Sequence, residues 1–192
     1  MTVLDLTEVN SEILPALYIG HGAPPLLDDP IWFGELSQLA QSFGKPEAIL
    51  IVSAHWENAP VTVGATDFGT PLVYDFGGFD PKYYQIQYQT PDSSELLSLL
   101  QSTLPDNFNL NQQPKRGLDH GAFVPLLAMY PEADVPVLQM SIPTHDPKQL
   151  FALGQKLSIL RQLGVLIIGS GFLTHGLPYL RDWSIAAKPP SW

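Results

Sequence analysis

The chain has 192 residues, of which 45% are hydrophobic and 15% are charged, and this composition suits one α/β domain with a sizeable core and excludes an intrinsically disordered chain. Its net charge is −10, and its nine lysines and arginines are too few and too scattered for a phosphate-binding surface, so we expect no nucleic-acid partner. The absence of cysteine excludes disulfides, thiolate metal sites and cysteine nucleophiles, so that a metal ligand must be His, Asp or Glu.

The N-terminal segment and the apolar runs bear on the location of the protein. Residues 1–10 are polar and acidic and lack the basic, then apolar order of a signal peptide. No apolar run of the sequence approaches the length that spans a bilayer. We therefore expect a soluble cytoplasmic protein without a membrane partner, and the sequence leaves a homo-oligomer open.

The first part of the chain has the pattern of a β-α-β unit. Residues 14–20 are a short apolar run typical of a strand, and apolar residues recur at helical spacing over residues 32–43. Residues 48–52 are continuously apolar, as in a strand that is buried on both faces. Residues 14–55 therefore predict a β-α-β unit, and residues 61–63 a further short strand.

The middle of the chain mixes a loop with two predicted elements. Tyr84, Ile86 and Tyr88 alternate with polar residues, which predicts a strand with one wet face. Asp92 and Glu95 have the spacing of a capping box in front of a leucine-rich run, so a helix is expected to begin there.

The last part of the chain alternates again between helix and strand. Residues 117–130 predict a loop that enters a helix, in which Pro125 is tolerable only near the first turn. Residues 135–142 and 165–168 predict strands, and the Asp-Pro pair at 146–147 predicts a helix start between them. Strands that alternate with helices predict an α/β fold with a mostly parallel central sheet covered by helices on both faces.

Three of the five histidines share one context. His21, His55 and His175 each follow a buried apolar strand at its carboxyl end, among small residues. Ligands of open α/β sheets bind outside the carboxyl ends of the strands. A single histidine after a strand is more often a hydrogen-bonded structural residue, but three in the same context favour convergence. Since neutral imidazole binds iron or zinc well, the pattern predicts a metal site.

The remaining polar candidates allow more than one interpretation. His120 stands at a predicted helix entry, where it either bonds to a loop or serves as an acid or substrate contact beside the site. His145 stands next to a helix cap and is interpreted as a structural surface residue. Ser53 and Ser170 are potential nucleophiles near a histidine, but neither lies in a Gly-x-Ser-x-Gly elbow.

Five segments follow one another in the order and spacing of a known family. They cover nearly the whole chain and comprise residues 17–24 (LYIGHGAP), 51–56 (IVSAHW), 74–79 (YDFGGF), 117–131 (beginning GLDHG) and 169–175 (GSGFLTH). Together they resemble the class III extradiol ring-cleaving dioxygenases, the LigB-like group that contains the DOPA 4,5-dioxygenases.

The resemblance implies a non-haem metal dioxygenase that opens a catechol-type ring beside its two hydroxyls. The implied partners are a small aromatic diol and O2, and the implied cofactor is Fe(II), with Zn(II) able to occupy purified members. By motif, His21 and His55 match metal ligands. His175 matches a catalytic base at the metal that is sometimes counted as a ligand, and His120 matches a catalytic residue that contacts substrate or dioxygen.

The family also extends past the position that matches Trp192, and its remaining metal ligand lies in that C-terminal part. We therefore expect residues 1–192 to form an extradiol dioxygenase catalytic domain that is incomplete at the C-terminus and truncated relative to the family. We also expect this form to be a weak or inactive catalyst.

Two other functions stay open on the sequence. One is a non-enzymatic protein of the same fold that uses its metal pocket to bind a partner protein. The other is a zinc hydrolase, which needs a carboxylate base such as Glu57 near the metal. Substrate contacts are equally open: a carboxylate on the substrate could meet Lys115 or Arg116, and an aromatic pocket could be lined by Tyr74, Phe76, Phe79 and Phe172.

Overall fold

Six strands form the sheet of the protein. The computed structural model describes residues 13–172, and its strands are β1 (Ala16–Ile19), β2 (Ala48–Glu57), β3 (Thr62–Val63), β4 (Asn111–Gln112), β5 (Val137–Ile142) and β6 (Val165–Ser170). Their order across the sheet is β1-β6-β2-β5-β3-β4. The first four in this order run parallel, β3 is antiparallel to β5, and β4 is parallel to β3. The mostly parallel sheet predicted from the sequence is confirmed.

The α-helices are α1 (Pro30–Gln41), α2 (Ser94–Thr103), α3 (His120–Met129) and α4 (Pro147–Leu157). Two of them begin at an Asp-Pro pair, where the Asp29 carboxylate accepts a hydrogen bond from the Ile31 amide at 2.9 Å and Asp146 accepts one from the Lys148 amide at 2.9 Å. These caps satisfy backbone donors that have no partner within the helix. The helix start predicted at Asp146 is confirmed. Between residues 13 and 172, no helix is both long and apolar enough to cross a membrane.

The sheet separates two apolar layers, as the continuous apolar runs predict. Ile49 and Ile51 of β2 belong to a core cluster with buried residues of α1 and α3. Ala48 and Leu50 of the same strand belong to a second cluster with buried residues of α2 and α4. Because successive side chains of a strand point to opposite faces, β2 is buried on both sides. Helices therefore cover both faces of the sheet.

The segment after the aromatic loop differs from its prediction. Alternation over residues 84–88 predicted a strand, but Pro81–Gln85 is a 3-10 helix and residues 86–90 belong to no strand. The Asp80 carboxylate accepts a hydrogen bond from the Lys82 amide at 2.9 Å, so a third Asp-Pro pair begins a helix here. Local capping thus outweighs the side-chain alternation.

Strand β2 is longer than the sequence predicted, and this changes the setting of its histidine. The apolar run ends at Val52, but the strand continues to Glu57. Its register against β5 shifts between these two residues, an irregularity that bends a strand. The last pair between β2 and β6 joins Ser53 to Ser170. His55 therefore lies on the strand itself, just beyond the end of β6.

Candidate metal centre

Three histidines meet at the carboxyl edge of the parallel strands. His21 follows β1, His55 lies on the last part of β2, and His120 is the first residue of α3. Each ring offers one nitrogen, and these nitrogens all lie within 4.8 Å of one another. The structure thus brings His21 and His55 together, as their shared sequence context predicts, and adds His120 to them. His175 lies outside the described residues.

His21 is buried and is held on both ring nitrogens. Its Nδ1 lies 2.9 Å from the Ser170 hydroxyl at the end of β6, and its Nε2 lies 2.9 Å from Nε2 of His55. The next residue, Gly22, has a φ of 55°, a left-handed conformation that glycine adopts without strain. A Cβ at Gly22 would also overlap the Leu26 side chain. This turn lets the chain leave the site directly after the histidine.

A carboxylate lies behind two of the rings. One oxygen of Asp75 accepts hydrogen bonds from the His120 Nδ1 at 2.7 Å and from the His120 amide at 3.2 Å. The other oxygen lies 3.6 Å from Nδ1 of His55. The hydrogen bond on Nδ1 orients the His120 ring and leaves its Nε2 lone pair available, whereas the 3.6 Å contact with His55 is electrostatic. From the sequence, Asp75 is notable only as part of the motif at residues 74–79.

The charge of Asp75 is stabilised by the same contacts. Partial burial raises the pKa of the Asp75 carboxyl, but the hydrogen bonds from the His120 ring and amide and the nearby His120 and His55 charges outweigh burial. The pKa therefore lies below its ordinary value of 3.8. Because the folded-state pKa is the lower one, this stabilisation is present above about pH 4 and is lost as the pH falls through the lowered pKa.

The start of α3 is anchored to β5 by a buried polar network. Asp119 is fully buried, and its carboxylate accepts hydrogen bonds from Arg116 at 3.2 Å and from the Gln139 side chain. The side-chain oxygen of Gln139 in turn accepts a hydrogen bond from the Asp119 backbone amide at 3.0 Å. The Arg116 guanidinium lies 4.5 Å from the centre of the Trp56 ring. Arg116 is thus engaged in fixing the residue that precedes His120.

Gly121 allows the helix to approach the strands. A Cβ at this position would overlap the Ser53 hydroxyl and would lie 3.1 Å from a ring carbon of His55 and 3.2 Å from one of His21. Only a residue without a side chain therefore fits between α3 and the two histidine rings.

The arrangement fits a divalent metal. Bonds between a histidine nitrogen and zinc are about 2.1 Å long, so two nitrogens 2.9 Å apart match neighbouring positions on one ion. Imidazole nitrogens suit zinc, copper, iron and nickel, and a carboxylate behind the rings is a common support for such ligands. The cluster therefore has the donors and spacing of a metal site.

Aromatic side chains border the cluster on two sides. The Phe76 ring centre lies 5.7 Å from that of His120, and the Phe172 ring centre lies 6.0 Å from that of His21. Tyr74 and Phe79 pack against Phe76, one ring farther from the histidines. Of the four aromatic residues singled out in the sequence, two thus stand next to the site.

Other candidates lie elsewhere. Glu57 and His145 are exposed, and a carboxylate oxygen of Glu57 lies 3.0 Å from Nε2 of His145. Neither belongs to the histidine group found within residues 13–172. Lys115 is also exposed. The structure thus gives no support to Glu57 as a base at the metal, and His145 lies at the surface as predicted.

Replacing Gly121 with alanine should weaken metal binding by about tenfold, because the added methyl group overlaps the Ser53 hydroxyl and crowds the rings of His55 and His21. The matched control is Gly154→Ala in α4, where a Cβ meets nothing within 4 Å. The control should bind metal normally and be up to about 1 kcal/mol more stable. Zinc titration with a competing chelator measures the affinity, and equal affinities in both variants would contradict the steric account.

Asp75→Asn should lower metal affinity by about tenfold, because the amide removes the negative charge that lies 3.6 Å from Nδ1 of the proposed ligand His55. Asp67→Asn, at an exposed loop position, is the control and should have no effect. The same titration compares the two variants. An Asp75→Asn protein with unchanged affinity would show that the carboxylate does not support the ligands.

Comparisons with known proteins identify the family of the chain. The sequence model of the LigB family, described as the catalytic LigB subunit of aromatic ring-opening dioxygenase, matches residues 31–186. The chain is 44% identical to a Beta vulgaris protein named 4,5-DOPA dioxygenase extradiol, covering 94% of this chain and 71% of that protein. It is 35% identical to an Escherichia coli K12 protein of the same name, covering 96% of this chain and 68% of the relative.

A solved structure shares the fold. It is the crystal structure of an uncharacterized protein from Escherichia coli K12, with a TM-score of 0.72 and 31% identity. The match covers 89% of this chain and 65% of the other, so the chain spans just under two thirds of that structure. Taken with the family match over most of the sequence, these similarities show that the chain belongs to the LigB family of aromatic ring-opening dioxygenases.

Proposed function

We propose that the protein is an extradiol dioxygenase that opens a catechol-type ring beside its two hydroxyls with O2. The observation that carries this proposal is the convergence of His21, His55 and His120 at the carboxyl edge of the sheet in a chain of this family. The name shared by the two relatives supports a substrate similar to dihydroxyphenylalanine. The electrons for the reaction come from the diol ring, so no nicotinamide or flavin is needed.

His21 and His55 would hold the metal, which we propose to be ferrous iron, through their Nε2 atoms. His175, which matches the family motif, would stand at the same ion as base and further ligand. A bound ion supplies the acidity that lowers the pKa of a catechol hydroxyl and open positions for the two substrates. Zn(II) would fit the same nitrogen donors in a purified protein.

His120 is suited to transfer a proton. Asp75 holds its Nδ1 at 2.7 Å and would stabilise the ring when it becomes positively charged. The same logic makes the carboxylate in other Asp-His pairs an orienting group and not a proton acceptor. We assign His120 to the substrate or dioxygen and His175 to the first proton taken from the diol.

Phe76 and Phe172 would position the flat ring of the substrate. Phe76 lies next to His120, and Phe172 lies next to His21. Aromatic rings pack well against such a substrate through edge and offset contacts. They would also keep bulk water away from the reacting atoms.

The direct test measures oxygen uptake. The protein is first loaded with Fe(II) under anaerobic conditions and is then mixed with substrate and O2. Catechol and 3,4-dihydroxyphenylalanine should each consume one O2 per ring opened and give a yellow product, whereas the 1,3-diol resorcinol should be inert. Because the chain is shorter than its relatives, bound iron is measured separately from turnover. A form extended with the family's C-terminal segment is assayed beside this one, and an extended protein that holds iron and yet consumes no oxygen with either vicinal diol would overturn the proposal.

Histidine replacements separate the proposed roles. His55→Ala should abolish metal binding, because the site loses one of few ligands. His120→Ala should retain the metal and slow turnover by about a hundredfold or more, because a proton transfer is lost. His145→Ala, at the exposed contact with Glu57, serves as the control. Equal metal loss in the His55 and His120 variants would show that His120 is a ligand.

A further inference from the structure

Helix α3 contains a proline at its sixth residue, Pro125. Proline has no backbone N–H, so the Gly121 carbonyl, four residues earlier, lacks the donor that a regular helix would give it. Both residues are buried. A buried carbonyl without a partner is costly, which predicts that some other group donates to Gly121.

That donor comes from the sheet. Ser170 is the last residue of β6 and is 3% exposed, and its hydroxyl donates a hydrogen bond to the Gly121 carbonyl. The same oxygen lies 2.9 Å from Nδ1 of His21. β6 lies between the strands that lead to His21 and His55. Ser170 therefore links α3 to a histidine of the candidate metal centre.

The proton count at Ser170 decides which nitrogen of His21 carries the hydrogen. A serine hydroxyl has one proton and so donates one hydrogen bond. Here that hydrogen bond goes to the Gly121 carbonyl, which can only accept. The serine oxygen must then accept from Nδ1 of His21, so a neutral His21 has its proton on Nδ1. Its lone pair is then on Nε2, the atom 2.9 Å from the His55 ring.

We propose that Ser170 is a positioning residue that keeps His21 in the tautomer able to bind a metal through Nε2, and that Pro125 assists by leaving the Gly121 carbonyl for the serine. The inference rests on the proposed role of His21 as a metal ligand. The tautomer itself is a property of the metal-free protein and does not depend on that role. A neutral imidazole has two tautomers, and the one with its proton on Nε2 has to lose it or rearrange before binding there.

The same contacts argue against Ser170 as a nucleophile. A serine nucleophile gives its proton to a neighbouring base. Here His21 donates a hydrogen bond to the serine oxygen, and the serine hydroxyl donates its own hydrogen bond to the Gly121 carbonyl. The hydroxyl thus orients the ring and does not attack a substrate.

The first test reads the tautomer. Protein labelled with nitrogen-15 in histidine is studied by NMR without metal at about pH 8, where an ordinary imidazole is neutral, and a His21→Gln variant identifies the His21 signals. The unmodified protein should have the proton on Nδ1, and Ser170→Ala should move part or all of it to Nε2. Ser141→Ala is the control, because this buried hydroxyl in the same sheet bonds to Thr62 and Asn58 and not to a histidine.

The second test measures Zn(II) affinity in the same variants. Ser170→Ala should bind about 10- to 100-fold more weakly than the unmodified protein, and Ser141→Ala should bind as tightly. Pro125→Ala returns an N–H to the Gly121 carbonyl. Because a carbonyl oxygen has two lone pairs, it can still accept a hydrogen bond from Ser170. Pro125→Ala should therefore also weaken zinc binding, but by a smaller factor than Ser170→Ala.

The outcomes separate this inference from the proposed function. A Ser170→Ala protein that keeps the proton on Nδ1 would overturn the inference, and a changed tautomer with unchanged zinc affinity would overturn its role in metal binding. Unchanged zinc affinity in Pro125→Ala would show that the proline does not assist Ser170. If the unmodified protein binds no metal, the proposed metal roles of both His21 and Ser170 are wrong. If the extended protein binds metal but does not open the ring of a catechol, the proposed function is wrong and the inference about Ser170 still holds.

Discussion

The site depends on three neighbouring parallel strands whose carboxyl ends meet at one place. β6 lies between β1 and β2, so His21, Ser170 and His55 arrive side by side at the edge of the sheet. The first turn of α3 closes this region from one face, and it can do so because Gly121 has no side chain. The rings are therefore held at short distances by the geometry of the fold and not by a flexible loop.

Much of the fold follows from local patterns in the sequence. The runs at residues 48–52 and 165–168 are continuously apolar because both faces of those strands are covered, and that alone predicts a parallel sheet between helices. The prediction of a strand at residues 84–88 was wrong, and the reason is equally local. The alternation there competes with the Asp-Pro pair at Asp80, whose carboxylate caps a 3-10 helix. The same signal marks the starts of α1 and α4, so it was readable in the sequence.

The site was only partly accessible from the sequence. His21 and His55 follow apolar strands, and the direction of parallel strands is enough to bring them to one edge. No comparable sequence pattern predicts that Asp75 and Ser170 contact the histidines. A single carboxylate in a loop or a serine at a strand end is common. Their contacts join residues 45 and 149 positions apart in the chain, and such pairs are made by tertiary packing alone.

The strand order also has a consequence for how the protein folds. In the described part of the chain, β1 is formed near the N-terminus but pairs only with β6, which is made more than 140 residues later. During synthesis, β1 must therefore wait until residues 165–170 have been made before it can pair, and such distant pairing is slow. His21 and Ser170 are brought together by that same late step. A nascent chain consequently cannot bring His21, Ser170 and His55 together until β6 is inserted between β1 and β2, which couples metal capture to a late step of folding.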